Sequence, residues 1–253
     1  TTAEKIAAHE DLIATVPKHK GTDKLRADLR RRLSKLKEES ISAKKGRHAD
    51  IYTIEREGAS QVALVGFPNS GKSSILAALT NAKPVIADYP ISTLTPLPGM
   101  MPFEDIQIQL IDLPPVGNEA TDGWVSGILR NADALMLIVD LTIDPVVTGE
   151  LLMDQLISWN IHPISRDEGP PRPFKGVSKW ILLAGNKLDL PDAEKGFKEL
   201  MGRFGDSYPV VSISAAKKMN LEDLKRAVFD LSHIIRIYSK APGKAPDLSR
   251  PFT

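Results

Sequence analysis

The strongest chemistry in this chain lies in nine consecutive residues, Gly66-Phe67-Pro68-Asn69-Ser70-Gly71-Lys72-Ser73-Ser74. A glycine, any four residues and then Gly-Lys-Ser is the spacing of a phosphate-binding loop. The apolar run Val62–Val65 precedes the loop and the helix-forming run Ser74–Thr80 follows it. A buried strand would thus deliver a loop whose backbone N–H groups meet an anion at a helix N-terminus. Lys72 would reach the β- and γ-phosphates, and the Ser73 hydroxyl would hold Mg²⁺. The candidate phosphate contacts are therefore Gly66, Pro68, Asn69, Ser70, Gly71, Lys72, Ser73 and Ser74. A glycine turn with a chance lysine would have the same spelling, but the order of the later motifs opposes it.

The second group is Asn186-Lys187-Leu188-Asp189, at the end of another apolar run. A carboxylate at Asp189 can accept hydrogen bonds from the ring N–H and exocyclic amine of guanine, a donor pair that adenine lacks, so adenine would leave the acid unpaired. This acid opposes an ATPase of the same architecture. Helix capping is the plain reading of the tetrapeptide. Ser214, Ala215 and Ala216 follow the last apolar run, where they would close over the base through backbone N–H groups or simply form a turn.

Positioning these groups requires short buried strands alternating with helices. Strands are expected at Gln61–Gly66, Ile106–Asp112, Ala134–Asp140, Trp180–Gly185 and Val210–Ile213, and helices at Lys72–Thr80, Gly123–Asn131, Pro145–Trp159, Asp192–Phe204 and Leu221 to about Tyr238. Continuous apolar runs are what buried parallel strands look like when helices cover both faces. The expected fold is therefore α/β, a doubly wound and mostly parallel sheet, with the phosphate-contacting loops at the carboxyl ends of its strands. Asn160–Lys179, rich in proline and glycine, reads as a surface loop without a core that exposes His162.

Residues 1–58 differ in character. Helices are expected at Ala3–Thr15 and Thr22–Ser42, the second with Leu25, Leu29, Leu33 and Leu36 along one stripe. Two antiparallel helices joined by a short loop form the simplest arrangement. Between Lys18 and Arg47 twelve basic residues face four acidic ones, a local excess of eight. A basic hairpin can neutralise RNA phosphates, and it can equally be a solvated helix packed by its leucines. The whole chain carries 33 basic and 32 acidic residues among 253, so net charge selects no partner. It has no cysteine, hence no disulfide or thiolate site, and no apolar run near the roughly 18 residues that span a bilayer. A cytoplasmic setting without a membrane span is expected.

Taken together, the chain resembles the translation-factor-class, P-loop (Ras-like) GTPases of the Obg group, most of all the developmentally regulated GTP-binding proteins. The resemblance rests on Gly66–Ser74, on Ala87–Pro96 with its Tyr89-Pro90 and Thr93, on Leu110-Ile111-Asp112-Leu113-Pro114, and on Asn186–Asp189. The basic N-terminal segment and the tail from Arg236 to Pro251 resemble that family as well. This implies a basic helical hairpin at 1–58, a GTPase domain at 59–239, and a linker at 240–253 leading to a TGS domain. It also implies GTP and GDP as ligands with Mg²⁺ as cofactor. Thr93 matches the switch I threonine, ordered around Mg²⁺ and the γ-phosphate, within a long irregular loop that includes Pro96, Pro98 and Gly99. Asp112 matches the switch II aspartate, holding Mg²⁺ through water. Lys72, Thr93 and Asn69 are the implied catalytic group, Asn69 because relatives with asparagine at this position hold K⁺ there in place of an arginine finger; a loop-shaping asparagine is the alternative. Contact with a ribosome or RNA through the basic helices is implied for the whole.

Two departures stand out. Pro115 occupies the switch II glycine position, where the family's N–H meets the γ-phosphate, and proline has no N–H to give. Val116 stands where Ras-type enzymes carry the glutamine that orients water. Slow GTP hydrolysis is the resulting expectation, with a binding-only interaction module as the alternative. The small domain that eukaryotic and archaeal members insert is not expected in Asn160–Lys179.

Overall fold

The computed structural model describes Leu29 and residues 54–82, 95–117, 119–166 and 176–238. The chain divides into two compact units, Thr1–Thr53 and Ile54–Thr253. In the first, Leu29 is helical and buried; the other residues of the expected hairpin up to 53 lie outside the described residues, as do Thr93 and the segment 240–253.

The second unit is a seven-stranded sheet with five helices in the described residues. Its strands are β1 (Ser60–Val65), β2 (Leu97–Phe103), β3 (Ile106–Asp112), β4 (Ala134–Asp140), β5 (Ile161–Ile164), β6 (Val177–Asn186) and β7 (Val210–Ser212). The helices are α1 (Lys72–Leu79), α2 (Glu119–Asn131), α3 (Pro145–Ser158), α4 (Ala193–Phe204) and α5 (Leu221–Leu231). Strand order is β2-β3-β1-β4-β6-β5, with β7 also on β6, and every pairing is parallel except β2 with β3. The ten residues of β6 serve β5 with their first part, Val177–Trp180, and β7 with Leu183–Gly185.

The central strands form where the sequence is continuously apolar. Every residue of β1 and β4 is buried, and each fully buried Leu, Ile or Val contributes about 1.5–3 kcal/mol against exposure. The buried polar residues pair across strands: Gln61 Nε2 donates to Gln109 Oε1 at 2.7 Å, directly opposite in the β1–β3 register. That register also sets Leu64 opposite Asp112, which brings the carboxyl end of β3 beside the loop leaving β1.

Three expectations are corrected. Leu97-Pro98-Gly99 belongs to β2 and not to an irregular loop. Asn160–Lys179 is not a coreless loop, because Ile161–Ile164 forms β5 with both isoleucines buried, His162 is half-buried within it, and β6 begins at Val177. Both missed strands lie at sheet edges, where proline's lack of an N–H is tolerated. Finally, the last helix stops at Leu231 rather than near Tyr238. His233 turns the backbone left-handed, φ 48°, and the chain then crosses to the β2–β3 turn, where Arg236 donates to Glu104 at 2.6 Å and Tyr238 to Asp105 at 3.0 Å.

Candidate functional site

The carboxyl ends of β1, β3, β6 and β7 bring the sequence-predicted residues together. Gly66–Ser70 leave β1 and turn into α1 at Gly71, the helix N-cap, with φ 94°. A Cβ at Gly71 would stand 2.1 Å from Asn186 Nδ2, and one at Gly66 would stand 2.6 Å from Ser70 Oγ. Neither position can carry a side chain without displacing a neighbour. The first turn of α1 has no acidic residue and no side-chain cap, so its positive end and orphan N–H groups are left for an anion.

Lys72 is buried and donates from Nζ to the Gly66 and Phe67 carbonyls at 2.9 and 3.1 Å. Burial pushes its ammonium down to about 8, against an opposing pull from Asp112. Asp112 accepts a hydrogen bond from Ser73 Oγ through Oδ2 at 2.5 Å, while its Oδ1 is buried without a partner. Burial holds this carboxyl above the usual range in spite of Ser73, Lys72 and the Leu113 N–H. Ser70 Oγ is also buried and unpartnered. An orphaned carboxylate oxygen beside a hydroxyl suits a hard divalent cation. Among the described residues no group of three or more His, Cys, Asp or Glu could hold a metal, so a cation here would draw its other ligands from phosphate and water. Asn69 is exposed, with its backbone left-handed at φ 61°, a conformation asparagine tolerates. Pro68 is exposed, and Ser74 is half-buried in α1.

The Gly66–Ser74 loop is joined to the loop after β7 by Asn186. Its Nδ2 donates to the Ser70 carbonyl at 2.9 Å, and its Oδ1 accepts from the Ala215 N–H at 3.1 Å. One buried side chain thus ties the phosphate loop to the loop after β7. Asp189 is exposed, yet its Oδ1 is held at 2.5 Å by the fully buried Ser214 hydroxyl, which also accepts from the Lys217 N–H at 3.0 Å. Ser214 therefore serves both as a turn residue and as an anchor for Asp189. Ala215 is buried and Ala216 exposed. Lys187, at φ 69°, places Nζ 2.5 Å from Asp140 Oδ2. The sequence reading missed Asp140; the available signal was a lone acid closing the apolar run of β4.

At switch II, Pro115 and Val116 are buried. The first N–H after the proline, that of Val116, donates to the Gly66 carbonyl at 3.2 Å. This carbonyl is one of the two that receive Lys72. Gly117 is exposed at φ 91°, with open space where a Cβ would point.

Comparison with known proteins agrees with this geometry. Residues 61–166 match the model of the 50S ribosome-binding GTPase family. A GTP-binding protein of Methanocaldococcus jannaschii is 30% identical over 98% of this chain and 78% of its own length. The chain belongs to the Obg-type GTPases, in their developmentally regulated branch. It is a GTP-binding protein of a hydrolytic family, and a binding-only module is not favoured. Ribosome-interacting GTPase 1 of Saccharomyces cerevisiae is 28% identical over 99% of this chain and 84% of its own length. The M. jannaschii alignment runs over 307 residues against the 253 of this chain, so that relative carries residues with no counterpart here. The GDP-bound GTP-binding protein of Sulfolobus solfataricus superposes with a TM-score of 0.53, at 21% identity, over 91% of this chain and 65% of that one, which shows the shared fold. No helix among the described residues is long and apolar enough to cross a membrane.

Proposed function

We propose that the chain is a guanine-nucleotide switch that cleaves the γ-phosphate of GTP slowly and associates with the ribosome. The observation that carries the nucleotide assignment is the pair of unpartnered buried oxygens at the phosphate loop, Asp112 Oδ1 and Ser70 Oγ, beside a buried Lys72 ammonium that has only two backbone carbonyls for partners. Unpaired buried polar atoms are rare and costly in a folded protein; a phosphate with its cation would satisfy both oxygens and give the Lys72 ammonium a counter-charge. Gly66–Ser74 would cradle the phosphates, Lys72 would turn from its carbonyl partners to the β- and γ-oxygens, and Asp189 would read guanine. Ser73 and Asp112, the latter through water, would hold Mg²⁺ together with Thr93. Bound there, the ion would neutralise developing phosphate charge. Asn69, at the lip of the loop, would help to hold K⁺ beside the same phosphates.

Pro115 supports slow turnover. With no N–H at that position and the Val116 N–H engaged by Gly66, the usual switch II donor to the γ-phosphate is lacking. Val116 is buried and apolar, so water must be oriented by groups other than a switch II glutamine. The ribosome assignment rests on the yeast relative's name and on the excess of eight positive charges between Lys18 and Arg47. Reversing Arg30, Arg31, Arg32 and Lys35 should weaken ribosome binding and flatten its salt dependence.

The test of the nucleotide reading is GTP turnover in potassium chloride and in sodium chloride at equal ionic strength, with binding followed in parallel. Slow turnover that potassium stimulates is expected. Failure to bind GTP or GDP in either salt would overturn the reading. Binding with turnover that is equal in the two salts would remove Asn69 from a cation site.

A further inference from the structure

We infer that the segment after α5 is a strap whose Arg236 clamps the far tip of the β2–β3 ribbon, and that this clamp is coupled to the presence of a γ-phosphate. The inference rests on the guanine-nucleotide reading and connects that site to a surface remote from it.

β2 and β3 pair antiparallel from end to end. At one end Leu97 stands opposite Asp112, the proposed Mg²⁺ carboxylate, and Thr93 lies four residues before Leu97 in the chain. At the other end Phe103 stands opposite Ile106 across the two-residue turn Glu104-Asp105. The ribbon thus spans roughly 20 Å between the phosphate end of the site and its own tip. β2 is the edge strand of the described sheet, so β3 alone supplies its ladder hydrogen bonds.

The tip is held by the strap. After the left-handed turn at His233, alternate residues of 234–238 face the domain: Ile234 packs against the core, Arg236 and Tyr238 reach the tip, and Ile235 and Ile237 are exposed. Arg236 Nη1 donates to Glu104 Oε2 at 2.6 Å, and its Nε lies 3.2 Å from Asp105 Oδ1. Asp105 Oδ2 accepts the Tyr238 hydroxyl at 3.0 Å. The guanidinium also lies over the Phe229 ring of α5, 4.7 Å from its centroid, and Phe229 stacks on Phe103 of β2 at 5.0 Å. A lone surface ion pair contributes little. Here one cation, its side chain only 19% exposed, joins two acids and a ring, so tip, α5 and strap are held as one unit.

Preorganisation supplies the coupling. A ribbon fixed at its tip has lost conformational freedom during folding, whereas a ribbon with a free tip loses it when Thr93 is ordered around the γ-phosphate. GDP has no γ-phosphate to order Thr93. The clamp therefore lowers the cost of binding GTP and leaves that of GDP unchanged, and by reciprocity GTP tightens the clamp by the same factor.

The test uses the full chain with Mg²⁺ and either GDP or the slowly hydrolysed GTP analogue GMPPNP. Arg236→Ala should weaken GMPPNP binding about fivefold and leave GDP binding near that of the parent. Asp105→Asn, which removes a charge from the other side of the clamp, should show the same split, and the double variant should lose no more than the worse single one. In the parent, the amides of Arg236, Ile237 and Tyr238 should exchange about fivefold more slowly with GMPPNP than with GDP. Should Arg236→Ala not fold, Asp105→Asn and the exchange rates carry the same comparison. Equal losses for the two nucleotides would make the clamp purely structural and overturn the proposal, as would parent-like GMPPNP affinity in both variants, additive losses in the double variant, or equal exchange with the two nucleotides. A parent chain that binds neither nucleotide would overturn the guanine reading itself, and the coupling with it.

Discussion

The two ends of the site differ in how far the protein alone completes them. At the base end the important side chains already have partners: Asp189 has Ser214, Lys187 has Asp140, and Asn186 has both Ser70 and Ala215. At the phosphate end, burial has outrun pairing. Asp112 Oδ1 and Ser70 Oγ have no partner, the Asp112 carboxyl is pushed up and the Lys72 ammonium is pushed down. On the proposed nucleotide reading, the base end would be a preformed receptor and the phosphate end a set of costs that a ligand would relieve. This is a reasonable division for a switch, because what changes between GTP and GDP lies entirely at the phosphate end.

The largest expected effect sharpens the comparison at the preformed end. Asp189→Asn keeps the shape and an acceptor for Ser214 but reverses half of the polarity offered to the base. Affinity for GTP should fall on the order of 10³-fold, and xanthosine nucleotides should gain. Equal GTP affinity in equilibrium titrations would remove Asp189 from base reading.

The next effect concerns the costs stored at the phosphate end. Below about pH 8 the folded, nucleotide-free protein bears the full cost of a buried Lys72 ammonium. Between 8 and the ordinary value of 10.5, the folded lysine is neutral while the unfolded one still holds its proton. The unfolded state then binds more protons, so stability should rise with pH across this window, by about 3 kcal/mol. Lys72→Met should lack the rise, and GDP with Mg²⁺ should suppress it by restoring a counter-charge. Denaturant unfolding of both chains from pH 7.5 to 10.5 measures it. Parallel curves for the parent and Lys72→Met would mean that this end carries no such cost.

A smaller effect joins the two ends. Asn186→Ala leaves the Ser70 carbonyl and the Ala215 N–H without their buried partner, so the nucleotide-free protein should lose about 2 kcal/mol. Affinity for GDP should fall with it, as the two loops lose their common tie. Unchanged denaturant midpoints would show that the loops are held together by other means.

Much of this was legible in the sequence, for a physical reason. β3 and β4 match the expected Ile106–Asp112 and Ala134–Asp140 residue for residue, because β4 is apolar up to its closing Asp140, as a strand buried on both faces requires, and β3 alternates Ile106, Ile108 and Leu110 with Gln107 and Gln109. The two edge strands were hidden by their prolines, Pro98 and Pro102 in β2 and Pro163 in β5, which one-sided pairing tolerates. The last helix was read too long because apolar residues continue through Ile237. Their periodicity says nothing of the turn at His233 or of the acids at 104 and 105 that receive Arg236. The partnership of Asp140 with Lys187 was hidden for another reason. The two residues are 47 positions apart and meet only through the β4–β6 register, whereas each motif of the phosphate and base ends is contiguous in the chain.

Amide hydrogen exchange, resolved to single residues, tests the preformed-receptor account most directly, in the nucleotide-free chain and again with GDP and Mg²⁺. The account predicts that the amides of Leu188, Ala215 and Lys217, which already donate to Ile213, Asn186 and Ser214, are protected in both states. Those of Gly71, Lys72 and Ser73 should become slow only when GDP is bound. Rapid exchange at Ala215 and Lys217 without nucleotide, or loop amides that are already slow, would contradict it.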